Sequence, residues 1–179
     1  MVKGLFFFVL TVLIAGCANG KTITNQDCRV VAILDGDTFE CVDTQLNQPK
    51  KVDKITVRLA YIDAPEKGQA FGQVSKRSLS DMVYQKQVTL KIYGQDKYNR
   101  TLAEVFYNDT NINQQMIRLG MAWAYRDFKP SQAYIELENQ AKNSRLGLWS
   151  EPSSVSPSEW RKISQLTSKQ GINDNGNQQ

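Results

Sequence analysis

Histidine is absent from all 179 residues, and that absence removes more chemistry than any other feature of the composition. A serine triad, a histidine general base and a histidine-built metal site are excluded, which leaves carboxylates, cations and backbone oxygens to carry any catalysis. Cysteine is scarce as well, with three residues in the chain, so a structural zinc site of four cysteine or histidine ligands has too few residues to draw on. The apolar run Leu5 to Ile14 is too short to cross a bilayer as a permanent helix. No internal repeat is present. The charge excess is small, +4, a mild bias toward polyanions that a solvated basic surface would equally produce.

What is present begins with a leader. Lys3 is its positive segment, Leu5 to Ile14 its apolar one, and Leu13-Ile14-Ala15-Gly16-Cys17 is a small-residue cleavage site ending in cysteine. The pattern resembles a bacterial lipobox. On that reading residues 1–16 are a signal peptide, Cys17 carries lipid, residues 17–27 are a tether, residues 28–150 fold, and residues 151–179 are a polar, partly disordered tail. The other reading is an ordinary secretory signal cut elsewhere, with Cys17 a chance thiol. Ala18 after the cysteine supplies no aspartate retention signal, which favours the periplasmic side of the outer membrane in a cell with two membranes, and the outer face of the cell membrane otherwise. In such an oxidising setting Cys28 and Cys41, on the two arms flanking Asp35-Gly36-Asp37, are expected to form a disulfide; two buried free thiols are the alternative.

The length suits one domain with a substantial core. Cys28 to Leu34 and Thr38 to Val42 are β-branched-rich runs separated by Asp-Gly, a hairpin pattern. Ile55 to Ile62 reads as a third strand that delivers Asp63 at its end, before Pro65 stops it. From Phe71 the period turns helical, with Phe71, Val74, Leu79, Met82 and Val83 on one face. Val88 to Tyr93 and Leu102 to Tyr107 are the fourth and fifth strands, joined by the polar Gly94 to Arg100 loop. A second helix over Ile112 to Leu119 ends at Gly120 as a left-handed C-cap. A third starts near Ser131 and carries Tyr134, Leu137 and Ala141, after which Leu148 and Trp149 seal the core. A short helical stretch is expected around Glu159 to Leu166, with Gly171 to Gln179 disordered. Five strands with a helix after the third suit a Greek-key OB barrel or another small α+β barrel.

The chemistry concentrates in three strings: Asp35-Gly36-Asp37-Thr38, then Arg58 through Asp63-Ala64-Pro65-Glu66, then Asp96-Lys97-Tyr98-Asn99-Arg100. Together they offer carboxylates for a hard cation and guanidiniums for a phosphate. In this order and spacing, from about Cys28 to Trp149, they resemble the staphylococcal-nuclease-like (thermonuclease) family. The resemblance implies a five-stranded OB fold, α+β, with about three helices. It also implies a calcium-dependent endonuclease acting on DNA and RNA as a monomer. Asp37, Asp63 and the carbonyl of Ala64 would ligate Ca2+, alanine standing where the founding member has threonine. Glu66 would act on the attacking water, as general base or orienting acceptor. Arg58 and Arg100 would clamp the scissile phosphate, and Lys97 and Tyr98 would border the nucleotide. Asp35 is read as a turn residue beside Gly36. Tyr125 is left unassigned, because aligning it to the family's second nucleotide-facing tyrosine needs a shift.

Two rival readings keep the same barrel: a catalytically silent module that binds single strands by charge and stacking, and an envelope lipoprotein that binds oligosaccharide or protein. Neither requires paired carboxylates beside paired arginines.

Overall fold

The computed structural model describes residues 24–44, 54–127 and 131–175, with side chains to residue 168. The leader, Cys17 and most of the expected tether lie outside the described residues. Alternating and β-branched runs give β1 (Thr24–Ile33), β2 (Thr38–Asp43), β3 (Lys54–Leu59), β4 (Ile62–Asp63), β5 (Gln87–Gln95), β6 (Thr101–Tyr107), β7 (Thr110–Asn111) and β8 (Trp123–Ala124). Helical periods give α1 (Gly72–Val83), α2 (Ile112–Arg118), α3 (Gln132–Asn143) and α4 (Pro157–Asn175), with a 3-10 turn at Gly147–Ser150.

Antiparallel pairs β3–β2–β1–β5–β6 are closed by a parallel β3–β6 pair, so five strands form the expected barrel. The interior is filled by Val30, Phe39, Val57, Leu59, Leu90, Ala103 and Val105. Cys28 and Cys41 are joined in a disulfide, their Cα atoms 5.8 Å apart, between β1 and β2. Helix α2 caps the barrel with Met116 and Ile117, and Leu148 completes the seal. Gly120, at φ +66, is the left-handed residue past the end of α2.

The structure departs from the sequence reading in five places. Strand β1 begins at Thr24, because residues 24–27 pair with Leu90 to Ile92 and Thr89 on β5; the barrel edge absorbs part of the expected tether. The third strand does not run through to Ile62. It breaks after Leu59, where Ala60 donates to the Ala103 carbonyl at 2.8 Å and Tyr61 turns through φ +66, and Ile62 and Asp63 then pair with Ala124 and Trp123. The buried face of α1 is Gly72, Ser75, Leu79 and Val83, while Val74 is 50 % exposed; small residues face inward because the β1–β2 turn packs directly on that helix. On α3 Glu138 takes a buried place beside Tyr134 and Ala141, because the Ala124 N–H needs an acceptor there, with Arg126 and Lys142 balancing its charge. Helix α4 is also far longer than the stretch expected, running to Asn175 through part of the segment read as disordered; residues 176–179 lie outside the described residues.

Candidate active site

One end of the barrel gathers the first two strings. Asp37 sits at the start of β2, where the turn before it is organised by Asp35: the Asp35 Oδ1 accepts the Asp37 N–H at 3.0 Å. Burial, and then the neighbouring Asp37 charge, push the Asp35 carboxyl up to about 6. Gly36 makes the approach possible. A Cβ there would lie 2.0 Å from Ser75 Oγ and 2.8 Å from the Ala64 Cβ, so only glycine lets the turn lie against α1 and the residue 64 backbone. The Asp37 Oδ2 accepts the Ala64 N–H at 2.6 Å, and its Oδ1 accepts from Thr38 Oγ1 at 3.0 Å. Ala64 is thereby held against Asp37, where the sequence reading puts a backbone ligand.

The break at Ala60 and Tyr61 brings Asp63 back toward Asp37. Arg58 joins the two: its Nη2 is 3.1 Å from Asp37 Oδ2 and 3.1 Å from Asp63 Oδ1, while its Nη1 donates to the carbonyls of Leu59 at 2.8 Å and Ile62 at 2.9 Å. Both terminal nitrogens of Arg58 are therefore turned inward, onto protein oxygens. Asp63 is buried, and that burial raises its carboxyl above the usual range against the opposing pull of the Arg161 hydrogen bond and the Arg58 charge.

Glu66 follows on a short loop. Its N–H donates to Gln69 Oε1 at 3.1 Å, and its carbonyl accepts the Gln69 N–H at 2.9 Å. Gly72 packs on that carbonyl so closely that a Cβ would come within 2.1 Å of it. The Glu66 carboxylate is half exposed and bonds to a residue the sequence reading did not assign. Arg161, on α4, donates from Nη1 to Glu66 Oε1 at 2.6 Å and from Nη2 to Asp63 Oδ2 at 2.9 Å. Its position follows from a signal that was legible in the chain: Ser156-Pro157-Ser158-Glu159 is a capping box with proline at the first helical position. The structure forms that box, with Ser156 N and Oγ on Glu159 Oε2 at 3.1 and 2.7 Å.

The third string stands on its own loop between β5 and β6. Asp96 Oδ1 accepts the N–H groups of Tyr98 and Arg100 at 2.9 and 3.0 Å, and its Oδ2 takes Arg100 Nε at 2.8 Å. Against the cost of partial burial, these bonds hold Asp96 below the usual carboxylate range. Tyr98 is 67 % exposed, its ring flanked by Lys97 Nζ at 5.0 Å and the Arg100 guanidinium at 5.5 Å. The parallel β3–β6 pair, which sets Val57 opposite Thr101, ties this loop to the strand that carries Arg58. Asp37, Arg58, Asp63, Ala64 and Glu66 are thus brought together directly, while Lys97, Tyr98 and Arg100 form a second group connected through the sheet. Tyr125 is half-buried, its N–H on the Tyr61 carbonyl at 2.8 Å.

The donor set at Asp37 and Asp63 is all oxygen, which suits a hard cation that completes its shell with water. Among the described residues no three histidine, cysteine, aspartate or glutamate side chains form a metal cluster; the ligand set expected from the sequence is two carboxylates and one backbone oxygen.

Comparison with known proteins agrees with this geometry. The family described as staphylococcal nuclease homologue matches residues 56–151. A protein of Haemophilus influenzae named an uncharacterized endonuclease is 47 % identical over 86 % of this chain and 80 % of its own length. The micrococcal nuclease of Shigella flexneri is 43 % identical over 76 % of the chain and 80 % of its own length. The protein ParB of Escherichia coli is 40 % identical over 76 % of the chain and 79 % of its own length.

Proposed function

The chain belongs to the staphylococcal nuclease homologues, and from that membership we infer that it is an endonuclease hydrolysing phosphodiester bonds of DNA and RNA with calcium. The observation that carries this reading is the meeting of Asp37, Asp63 and Arg58 within hydrogen-bond reach, with Glu66 linked to Asp63 through one guanidinium. Asp37, Asp63 and the Ala64 carbonyl would hold the calcium ion, which supplies charge neutralisation at the phosphate. Glu66, three residues beyond Asp63 and open to solvent, acts on the attacking water as base or orienting acceptor. Arg58 and Arg100 meet the charge that grows as phosphorus becomes pentavalent. For Arg58 that requires its Nη2 to leave Asp37 and Asp63, whose charge a bound cation would offset in its place. Tyr98 and Lys97 offer a ring and a cation to the neighbouring nucleotide.

The proposed setting is the cell envelope, with Cys17 as lipid anchor. The deciding experiment is a nuclease assay on the purified processed protein with calcium or with excess chelator. Cleavage of single-stranded DNA in calcium and its loss in chelator are expected, with zinc a poor substitute. Full cleavage in chelator would overturn the metal assignment, and binding without cleavage in any metal would favour the silent OB module.

A further inference from the structure

We propose that Arg161 is an internal cation that competes with the metal for Asp63 and covers Glu66, so that the C-terminal helix latches the site until a divalent ion takes the guanidinium's place on Asp63. The inference rests on the metal reading above and adds a residue to it. Arg161 lies ten residues beyond the matched segment 56–151, on the part of the chain read from sequence as a polar tail.

The contact is placed by its own anchors. Gln69, the residue that shapes the Glu66 loop, donates from Nε2 to the Val155 carbonyl at 2.6 Å. Pro157 is buried, and the Ser156–Glu159 box fixes where the helix starts. These hold the first turn of α4 at the site whether or not Arg161 is engaged. Beyond it, residues 162–168 are all exposed, so the helix leaves the body after a single turn of contact. The Arg161 side chain is 42 % exposed, so rotation about its own bonds carries the guanidinium into water with the helix still docked.

Charge makes the exchange favourable. Arg161 and a divalent ion seek the same Asp63 carboxylate, and the ion brings two charges where the guanidinium brings one. Two cations held on one carboxylate repel, so binding of the ion expels the guanidinium. The same guanidinium covers one oxygen of Glu66, the group that must face water, so the docked state is inactive on both counts.

The test is calcium binding by titration calorimetry on the full processed chain, independent of turnover. Arg161→Ala and Arg161→Gln are expected to bind calcium on the order of tenfold more tightly, because a charge-assisted hydrogen bond no longer has to be given up. Arg161→Lys, which keeps the charge, should stay closer to wild type. Lys162→Ala removes the same charge one residue along and controls for net charge; it should leave the affinity unchanged. Equal tightening by Lys162→Ala, or unchanged or weaker binding in Arg161→Ala, overturns the latch with the metal site standing. Absence of calcium binding in every protein, wild type included, overturns both readings.

Discussion

At the residue scale the site separates groups that act from groups that position. Glu66 reaches solvent on a loop shaped by Gln69 and Gly72, so Glu66→Gln keeps volume and hydrogen bonding while removing the proton acceptor. Turnover should fall on the order of a hundredfold or more with DNA binding and melting temperature retained; near wild-type turnover in calcium would remove Glu66 from the mechanism. Asp35 is a positioning residue whose cost shows in pH. Its folded-state value, about 6, lies above its ordinary 3.8, so the native chain binds the proton more tightly than the unfolded one. The stability this gives is complete at low pH and is lost as pH rises toward 6. Asparagine keeps the oxygen that accepts the Asp37 N–H and cannot ionise. The metal-free Asp35→Asn protein should therefore gain stability over wild type progressively between about pH 4 and 6, then hold a constant margin. A flat difference in denaturant unfolding across that range would contradict the assignment.

At the element scale, the β1–β2 turn, the break after β3 and the start of α4 deliver the side chains. Each depends on a local backbone device: Gly36 at a close approach, Tyr61 at positive φ, and a capping box at Ser156. Gly36→Ala places a methyl in the space of Ser75 Oγ and the Ala64 Cβ, both on buried residues. Overpacking of this kind costs about 1–3 kcal/mol. Because the turn also seats Asp37 against Ala64, activity should fall further than stability does. Urea unfolding beside a nuclease assay at a temperature where the variant is folded measures both. Unaltered stability would mean that the turn can move away from α1.

At the scale of the whole molecule, the barrel is one closed body on which the two functional groups occupy neighbouring connections. The disulfide between Cys28 and Cys41 ties β1 to β2 behind the Asp37 turn. Under the proposed anchoring, wild-type protein should fractionate with membranes and dissolve in detergent, while Cys17→Ser should be released or left unprocessed. Nuclease activity of the purified domain should be the same in both. Equal solubility and identical processed masses would remove the anchor from the account.

Much of this protein was determined by the sequence alone. The absence of histidine and the three strings in order point to a carboxylate and arginine site, and the periods of five strands and three helices suit a small α+β barrel that the family resemblance of those strings narrows to the OB fold; such signals are local or carried by residue type. Gly120 as a helix stop and the cysteine pair on facing strands belong to the same class. Only the tertiary structure decided where charges meet. That Asp63 leaves the third strand at Tyr61, that Arg58 spends its terminal nitrogens on Asp37, Asp63 and two carbonyls, and that Glu138 is buried on α3 all depend on partners far apart in sequence. Arg161 is the clearest case. Its helix start was written in Ser156 to Glu159, but its contact with Asp63 spans 98 residues, and no periodicity or spacing encodes a side-chain meeting of that range; it arises when the barrel, the Glu66 loop and α4 close on one another.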